Sequence, residues 1–210
     1  MADLYSNTDD GTIQGINRDN WADARDKGTG QSAIVGANFS SLFIAVHRFA
    51  ARDGSLIYRV ERAFMYFDTS GISGTVSSAT IKLFGVGNNT DGSIIAVKST
   101  AFGGDGGTAL AVGDINAITG FSEAASLDGN ATDYSNTILA GSWSGASYND
   151  LTGTGDLRAD MQNNDVVIIC FMDYTNDYLN VEVPSISTLN FGAYFTEQSG
   201  TSRDHYIQNY

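Results

Sequence analysis

Three observations predict an all-β fold, a single antiparallel β-sandwich with one or two short helices. First, the 24 acidic residues comprise 20 Asp and only 4 Glu, and Asp favours turns where Glu favours helices. Second, the chain contains 24 Gly, which allow further tight turns. Third, short apolar stretches recur between turn signals at intervals of about 8 to 12 residues, which is typical of sandwiches and barrels.

Length and composition indicate one domain. At 210 residues a single hydrophobic core is the simplest arrangement, and 42% hydrophobic residues are enough to fill it. We assign residues 21–210 to this sandwich. Residues 1–20 are polar, so we expect them to form an N-terminal arm that becomes ordered only on assembly.

Apolar periodicity places the strands. Residues 55–68 alternate at first and then become apolar at every position, which predicts a central strand covered on both faces, or a bulge. The continuous β-branched run at 165–173 predicts the most buried strand. Residues 77–87 and 93–98 predict two strands joined by a turn at 88–92. Further strands are predicted at 137–143, 179–184, 188–195 and 205–210.

Two short helical segments are also predicted. Asp114 is placed to cap one helical turn that follows it. Residues 155–162 predict a second short helix, which begins near Asp156 and turns Leu157 and Met161 to the same side.

The charge and the N-terminal sequence restrict the partners. A net charge of −13 argues against nucleic acid, because phosphate binding needs a basic surface. Residues 1–20 lack the basic start and apolar stretch of a secretory signal peptide, and no apolar run of 18 residues occurs. We therefore expect no membrane span and synthesis in the cytoplasm. Cys170 is the single cysteine, so stability must come from packing rather than from intrachain disulfides.

Three segments carry a resemblance to a known family. Near the N-terminus, DNWADARDKGTG joins a Trp and an Ala-Arg pair to a glycine turn. RAFMYFDTSGISGTVSSATIKLFGVG joins an aromatic strand ending in Phe-Asp to a Ser/Gly loop and an alternating strand, and SGTSRDHYIQNY ends on Tyr. Together these segments resemble the DNRLRE-type jelly-roll β-sandwich domains found in bacteriophage virion proteins. His205 stands where that family usually has Pro.

The resemblance implies a jelly-roll domain with a binding or a structural role. Members of the family include carbohydrate-binding modules, parts of secreted adhesins and phage particle proteins. We therefore expect a non-enzymatic virion structural protein, such as a capsid decoration or surface-fibre subunit, that contacts other virion proteins and self-associates, for example as a trimer. Its expected place is the virion or an extracellular surface, after synthesis in the host cytoplasm. The alternative is a glycan-binding adhesion module that recognises a host surface glycan.

The residues themselves offer little for catalysis. His47 and His205 are the only histidines, and each is more typical of a packed or rim position than of a catalytic base. Cys170 lies in an apolar strand, where a desolvated thiol is inert. A third alternative, a polysaccharide hydrolase or lyase, would need a carboxylic acid in an apolar cleft, whereas the Asp residues lie in turns.

We accordingly expect no enzymatic activity and no cofactor. A structural calcium ion between loops stays open as a hypothesis, because Asp and Asn side chains supply the oxygen ligands that calcium prefers. The sequence does not place such a site.

Aromatic side chains in loops are the candidates for contact with a glycan or a partner, since rings stack on the apolar faces of sugars. Trp143 and Tyr148 lie in one polar segment, and Tyr174 and Tyr178 lie in another that also carries amide and carboxylate groups. The alternative for each of the four is packing in the core or in an interface. Trp21 is expected to be a packing anchor.

Overall fold

The computed structural model describes residues 3–35, 42–88, 92–184, 186–194 and 202–209. Over these ranges the chain forms twelve β-strands and two α-helices, together with short 3-10 and π-helical turns. The strands are β1 (Leu4–Tyr5), β2 (Gly11–Arg18), β3 (Ser32–Val35), β4 (Leu42–Ala50), β5 (Leu56–Asp68), β6 (Ala79–Asn88), β7 (Ser93–Lys98), β8 (Ile138–Leu139), β9 (Tyr148–Thr152), β10 (Val166–Asp173), β11 (Ser187–Ala193) and β12 (Tyr206–Asn209). The helices are α1 (Trp21–Asp26) and α2 (Gly155–Asn163).

The strands form one antiparallel sheet that curls into a sandwich-like arrangement. Its main path runs β1-β12-β6-β11-β4-β5-β10-β7-β8, while β2 pairs with β3 and β5, and β9 pairs with β6. The long strand β5 lies at the centre of the curled sheet. β2 pairs with one edge of β5, and β4 and β10 pair in succession with its other edge. β4 pairs with β5 as far as Glu61, and β10 pairs with it from Ala63 onward. The sheet therefore divides beside Arg62, and its two halves close over the main core.

The centre of the sheet is buried on both faces. Met65 and Phe67 point into the main core, which lies between the two halves of the sheet. Phe64 and Tyr66 point into a second core on the opposite face. The prediction of a central strand covered on both faces is confirmed, and the continuous register between β5 and β10 leaves no bulge there. Loops and helical turns close the second core with the side chains of Phe102, Leu110, Ile115, Ile118 and Leu127.

The predicted fold class and most of the predicted strands are confirmed. The all-β sandwich is present, and the run at 165–173 forms β10, which is buried along almost its whole length. The segments 77–87 and 93–98 form β6 and β7, but the turn predicted at 88–92 falls largely outside the described residues. The C-terminal predictions correspond to β11 and β12.

The helix predicted at 155–162 is confirmed, and a helical turn is present at Asp114, but Asp114 lies inside that turn rather than at the N-cap before it. α2 corresponds to the helix predicted at 155–162, and Thr154 Oγ1 caps it by accepting from the N–H of Leu157 at 3.3 Å. The other segment is the 3-10 turn Val112–Asn116, where Asp114 Oδ2 accepts from the N–H of Ala111 at 3.0 Å. In each case a short polar side chain satisfies an N–H group that the first helical turn leaves free.

The strand predicted at 179–184 is wrong. Asn180 has a φ of 54°, in the left-handed region that interrupts a strand. The carbonyl of Val181 accepts from the side-chain amide of Asn176 at 2.7 Å, and the carbonyl of Val183 accepts from Arg48 Nη1 at 2.6 Å. Because side chains rather than a neighbouring strand satisfy these carbonyls, the segment is irregular.

The N-terminal segment and residues 137–143 differ in detail from the expectations. The described part of residues 1–20, expected as an arm, contributes β1 and β2, and β2 pairs with β5 along its full 8 residues. Helix α1, which was not predicted, follows directly and is capped by Asn20 Oδ1, which accepts from the N–H of Asp23 at 3.1 Å. Of residues 137–143, only the two residues of β8 are in a strand, and a 3-10 turn follows.

A buried ionic cluster fastens α1 and the turn after β10 to the sheet. Arg62 of β5 donates from Nε and Nη2 to the two carboxylate oxygens of Asp177, at 2.7 and 2.6 Å. Arg25 of α1 donates from Nε to the backbone carbonyl of Asp177 at 2.7 Å. All three side chains are fully buried, and both guanidinium groups lie against the ring of Phe121. The bidentate geometry offsets the cost of burying these charges.

Candidate binding face

The four aromatic residues predicted to contact a glycan or a partner do not share one surface. Trp143 is 7% exposed and packs edge-on against Phe191 in the main core, with ring centroids 5.4 Å apart. Tyr178 is 1% exposed in the second core and stacks on Tyr174 at 5.3 Å. Tyr148, by contrast, lies on the outer face of β9, where its neighbours along the strand point inward.

Tyr148 is in the middle of a row of five aromatic rings, named here the aromatic stripe. In the order Tyr5, Tyr206, Tyr148, Phe84 and Tyr194, neighbouring ring centroids are 5.5, 5.2, 5.1 and 5.7 Å apart. These distances are typical of aromatic rings in contact. Tyr5 is 44% exposed and the other four rings are half-buried, so the rings support one another while part of each remains accessible.

Strand pairing assembles the stripe from segments that are distant in sequence. Tyr5 is directly opposite Tyr206 across β1 and β12, and Phe84 is directly opposite Tyr148 across β6 and β9. Directly opposed residues on antiparallel strands point to the same face of a sheet, which brings the rings together. The residues that alternate with the rings along β6, β9 and β12 point to the opposite face, into the main core. They are Ile81, Leu83, Leu151 and Ile207.

Polar side chains lie on the same face as the rings. Lys82 is directly opposite both Tyr206 and Asp150, and its Nζ is 2.6 Å from Asp150 Oδ2. Gln208 follows two positions after Tyr206 and is opposite Thr80. The guanidinium group of Arg203 lies over the rings of Phe84 and Tyr194, 5.6 and 4.7 Å from their centroids. The outer face therefore combines ring surfaces with an ion pair, an amide, a hydroxyl and an exposed cation.

The central phenol of the stripe acts as a neutral hydrogen-bond donor. Burial, with the neighbouring phenols of Tyr206 and Tyr5, raises the pKa of Tyr148 to about 12. Its hydroxyl therefore keeps its proton near neutral pH and donates to the backbone carbonyl of Asp204 at 3.1 Å. This bond links β9 to the segment that leads into β12.

His205 supports one end of the stripe from behind. Its ring is fully buried, Nδ1 accepts from the backbone N–H of Phe84 at 3.2 Å, and Nε2 bonds the backbone carbonyl of Tyr194. These partners assign the neutral tautomer with its proton on Nε2, because one ring nitrogen must accept while the other donates. Burial lowers the pKa of His205 to about 4, so this tautomer is the form present at neutral pH.

A polar cleft of about 620 Å³ lies beside β7, β10 and the end of α2. Next to it, Lys98 Nζ and Tyr134 Oη both bind Asp160 Oδ2, at 2.7 and 2.5 Å. Burial acts to raise the pKa of Asp160, but the hydrogen bonds from Lys98 and Tyr134 outweigh it and lower the pKa below its usual value. Lys98 and Asp160 thus neutralise each other, while the carboxylate side chains of Asp105 and Asp165 also line the cleft.

The residues weighed as catalytic candidates in the sequence, such as His47 and Cys170, lie in packed positions. His47 Nε2 is 3.3 Å from Glu61 Oε2 on the sheet, and Glu61 is almost fully buried. Cys170 is buried in β10, and burial raises the pKa of its thiol, so it stays protonated. Within the described ranges, no group of three or more His, Cys, Asp or Glu side chains is placed to hold a metal ion. None of the helices described is long and apolar enough to cross a membrane.

Sequence comparisons identify no relative: the chain matches no protein-family model, and no curated protein matches it. Its class is defined by the fold alone, as an all-β, sandwich-like protein built from one curled antiparallel sheet.

Sequence reasoning identified only Tyr148 among the five rings of the stripe. Phe84 and Tyr206 carried a usable signal, because each alternates with buried aliphatic residues in its strand and so must point outward. Tyr5 and Tyr194 carried none, since β1 is only 2 residues long and Tyr194 follows the end of β11.

Proposed function

We propose that this chain is a non-enzymatic virion structural protein, a capsid decoration or surface-fibre subunit, that works through contacts made by the outer face of its sheet. The resemblance of three sequence segments to virion domains supports the virion setting. The observation that carries the proposal is the aromatic stripe. Partly exposed aromatic rings grouped on one face are typical of interaction sites.

The scaffold suits a subunit that must hold such a face rigid. The strands that carry the rings bury their opposite side in the main core. His205 fixes the backbone positions of Phe84 and Tyr194 from within. A preorganised face loses less conformational entropy on binding, which leaves more of the contact energy for affinity.

The test is cryo-electron microscopy of native particles from the source of the chain. We expect the protein at repeated positions in a lattice, with defined contacts to other virion proteins or to its own copies. Detection of the chain only as a free monomer, outside any particle, would contradict the proposed role.

A glycan-binding adhesion module is the second candidate, and the polar groups among the rings favour it. Four of the five rings are Tyr, and Lys82, Asp150 and Gln208 lie on the same face. Sugar sites combine aromatic stacking surfaces with a few hydrogen-bonding groups in this way. The two candidates are compatible if the subunit is anchored in a particle and presents the stripe outward.

A further inference from the structure

We propose that this chain binds a second copy of itself head to tail, so that the aromatic stripe and Arg203 of one copy dock on the polar cleft of the next. The inference rests on the proposed structural role of the chain and names the partner of its outer face. The two surfaces are complementary in charge, and they lie too far apart to meet within one molecule.

The rings form a patch that extends across several strands. β12 and β9 pair with opposite edges of β6, and the rings of Tyr206 and Tyr148 meet across β6 with their centroids 5.2 Å apart. Neighbouring strands lie about 4.8 Å apart, so the patch is roughly 15 Å wide from β1 to β9. Partly exposed rings spread over this width suit the surface of another protein.

Arg203 adds an exposed cation to this patch. Its guanidinium group lies over the rings of Phe84 and Tyr194. Stacking uses the flat face of a guanidinium group and leaves the N–H donors at its edge available to a carboxylate. Lys82 on the same face is paired with Asp150, whereas no carboxylate of the described residues forms an ion pair with Arg203.

The polar cleft carries the opposite charge. Asp105 and Asp165 line it with exposed carboxylates, and neither forms an ion pair within the described part of the chain. Lys98 also lines the cleft, but its ammonium group is held by Asp160 at 2.7 Å. α2 ends in the cleft at Asn163, and the C-terminal end of a helix carries a partial negative charge. The cleft therefore attracts a cation such as the guanidinium group of an arginine.

The distance between the two surfaces prevents them from pairing within one copy. The C-terminal part of α2 lines the cleft, and the N–H of Gly153, just before α2, donates to the carbonyl of Ala79 at the start of β6 at 2.9 Å. Phe84, over which Arg203 lies, is roughly 17 Å farther along β6, at about 3.4 Å per residue. Each copy therefore offers one surface to each of two neighbours, as in a head-to-tail assembly.

The high net charge of the chain does not prevent this contact. Each copy carries a net charge of −13, but the Debye length is about 8 Å at 0.15 M salt, so charges outside the contact are largely screened. At the contact itself, a cation of one copy faces carboxylates of the other. A patch roughly 15 Å wide covers less than the about 800 Å² per partner of a stable interface, so the association should reverse on dilution.

The test is sedimentation velocity of the full chain in about 0.15 M salt, at rising concentrations up to about 0.5 mM. We expect the average sedimentation coefficient of the wild type to rise with concentration. Arg203→Glu should stay monomeric, because it sets a carboxylate against the acidic cleft. The double variant Asp105→Asn with Asp165→Asn should also stay monomeric, because it removes both unpaired carboxylates while keeping the size of the side chains.

An equimolar mixture of these two variants tests the pairing of the surfaces directly. The first variant keeps an intact cleft and the second keeps an intact aromatic face, so the mixture should form dimers although neither variant does so alone. Arg52→Glu is the matched control, because Arg52 is an exposed arginine in the turn between β4 and β5, outside both surfaces. It changes the net charge by the same amount as Arg203→Glu and should associate like the wild type. Circular dichroism melting confirms that each variant is folded.

Four results would overturn the inference: a wild type that stays monomeric, association that survives Arg203→Glu, equal loss of association in Arg52→Glu, or a mixture that stays monomeric. Binding to a glycan array that Arg203→Glu abolishes, without self-association, would assign the face to the second candidate function instead.

Cryo-electron microscopy of particles keeps this inference apart from the proposed function. A chain that contacts only other proteins in a lattice would end the head-to-tail inference but support the structural role. Head-to-tail association by a chain that is absent from particles would do the reverse.

Discussion

The imidazole of His205 and the backbone of Phe84 are joined by a hydrogen bond in which Nδ1 accepts from the N–H group at 3.2 Å. Because Nε2 of the same ring bonds the carbonyl of Tyr194, one buried side chain connects β6 to the end of β11 directly behind the aromatic stripe. Protonation of Nδ1 would replace its acceptor lone pair with a second donor. The neutral ring is therefore part of the folded structure, and the stripe depends on it.

This relationship predicts that acid destabilises the protein through His205. Burial lowers its folded pKa to about 4 from 6.5, so the unfolded chain takes up a proton that the folded chain excludes. The contribution is complete above pH 6.5 and is lost as pH falls towards 4, by about 3 kcal/mol in total. Urea unfolding at pH 7, 5.5 and 4.5 measures it.

His205→Gln is the variant that isolates this contribution, since an amide can donate and accept but does not titrate. We expect the free energy of unfolding of the wild type to fall relative to that of the variant as pH decreases from 6.5 to 4. Parallel pH profiles for the two proteins would show that His205 does not titrate as described.

Asp173 has the opposite pH dependence. Burial chiefly raises its pKa to about 7, although hydrogen bonds such as that from the N–H of Asn176 at 2.6 Å favour the carboxylate. The folded state therefore holds a proton that the unfolded state has released, and stability falls as pH rises from about 4 through 7. The amide of the Asp173→Asn variant cannot ionise. As pH rises over this range, the free energy of unfolding of the variant should therefore increase relative to that of the wild type by a few kcal/mol.

The same unfolding series at pH 4.5, 6 and 7.5 checks this prediction. The Asn side chain keeps the oxygen that accepts from Asn176, so the comparison changes the titration and retains the cap. A difference between the two proteins that stays constant with pH would refute the assignment. Because the Asp173 and His205 effects oppose each other, single-site variants are needed to resolve either one.

Local burial patterns made the centre of the fold predictable from the sequence. The uninterrupted apolar run of β10 and the apolar residues at both parities in β5 can be satisfied only where both faces are covered. Helix α2 was predictable for a similar reason, because its cap and its inward side chains lie within one short segment.

The features that the sequence did not reveal depend on distant contacts. Helix α1 has only 6 residues, and Arg25 within it reaches the carbonyl of Ala125 at 2.9 Å. The segment 179–184 resembles a strand by composition, but side chains from elsewhere take up its carbonyl groups. The stripe likewise depends on the register between strands from opposite ends of the chain, such as Tyr5 with Tyr206, which local periodicity cannot supply.

Loss of Arg62 should strongly destabilise the fold. Arg62→Met removes the guanidinium group that donates to both oxygens of Asp177, and it leaves a fully buried carboxylate without its bidentate partner. Breaking one side of such a pair costs about 3–5 kcal/mol. The change in the free energy of unfolding is measured in urea at pH 7.

Arg18→Met is the matched control for this prediction. Arg18 pairs with Asp53 at 2.8 Å, but both side chains are more than half exposed, at 61% and 62%. Water and salt screen an exposed pair, so this variant should change stability by only a small fraction of the Arg62→Met effect. Equal effects of the two variants would contradict the structural role assigned to the buried cluster.

Substitutions at Tyr148 should separate the ring from its hydroxyl group. Tyr148→Phe removes the hydrogen bond to the carbonyl of Asp204 at a cost of about 1 kcal/mol in stability, but it keeps the ring. Tyr148→Ala also removes the contacts with Tyr206 and Phe84 at 5.2 and 5.1 Å, a further loss of about 1–3 kcal/mol. If the ring surface binds a glycan, as the second candidate function requires, the Phe variant should retain binding on a glycan array and the Ala variant should lose it. Equal loss in both variants would instead assign the interaction to the phenol hydroxyl.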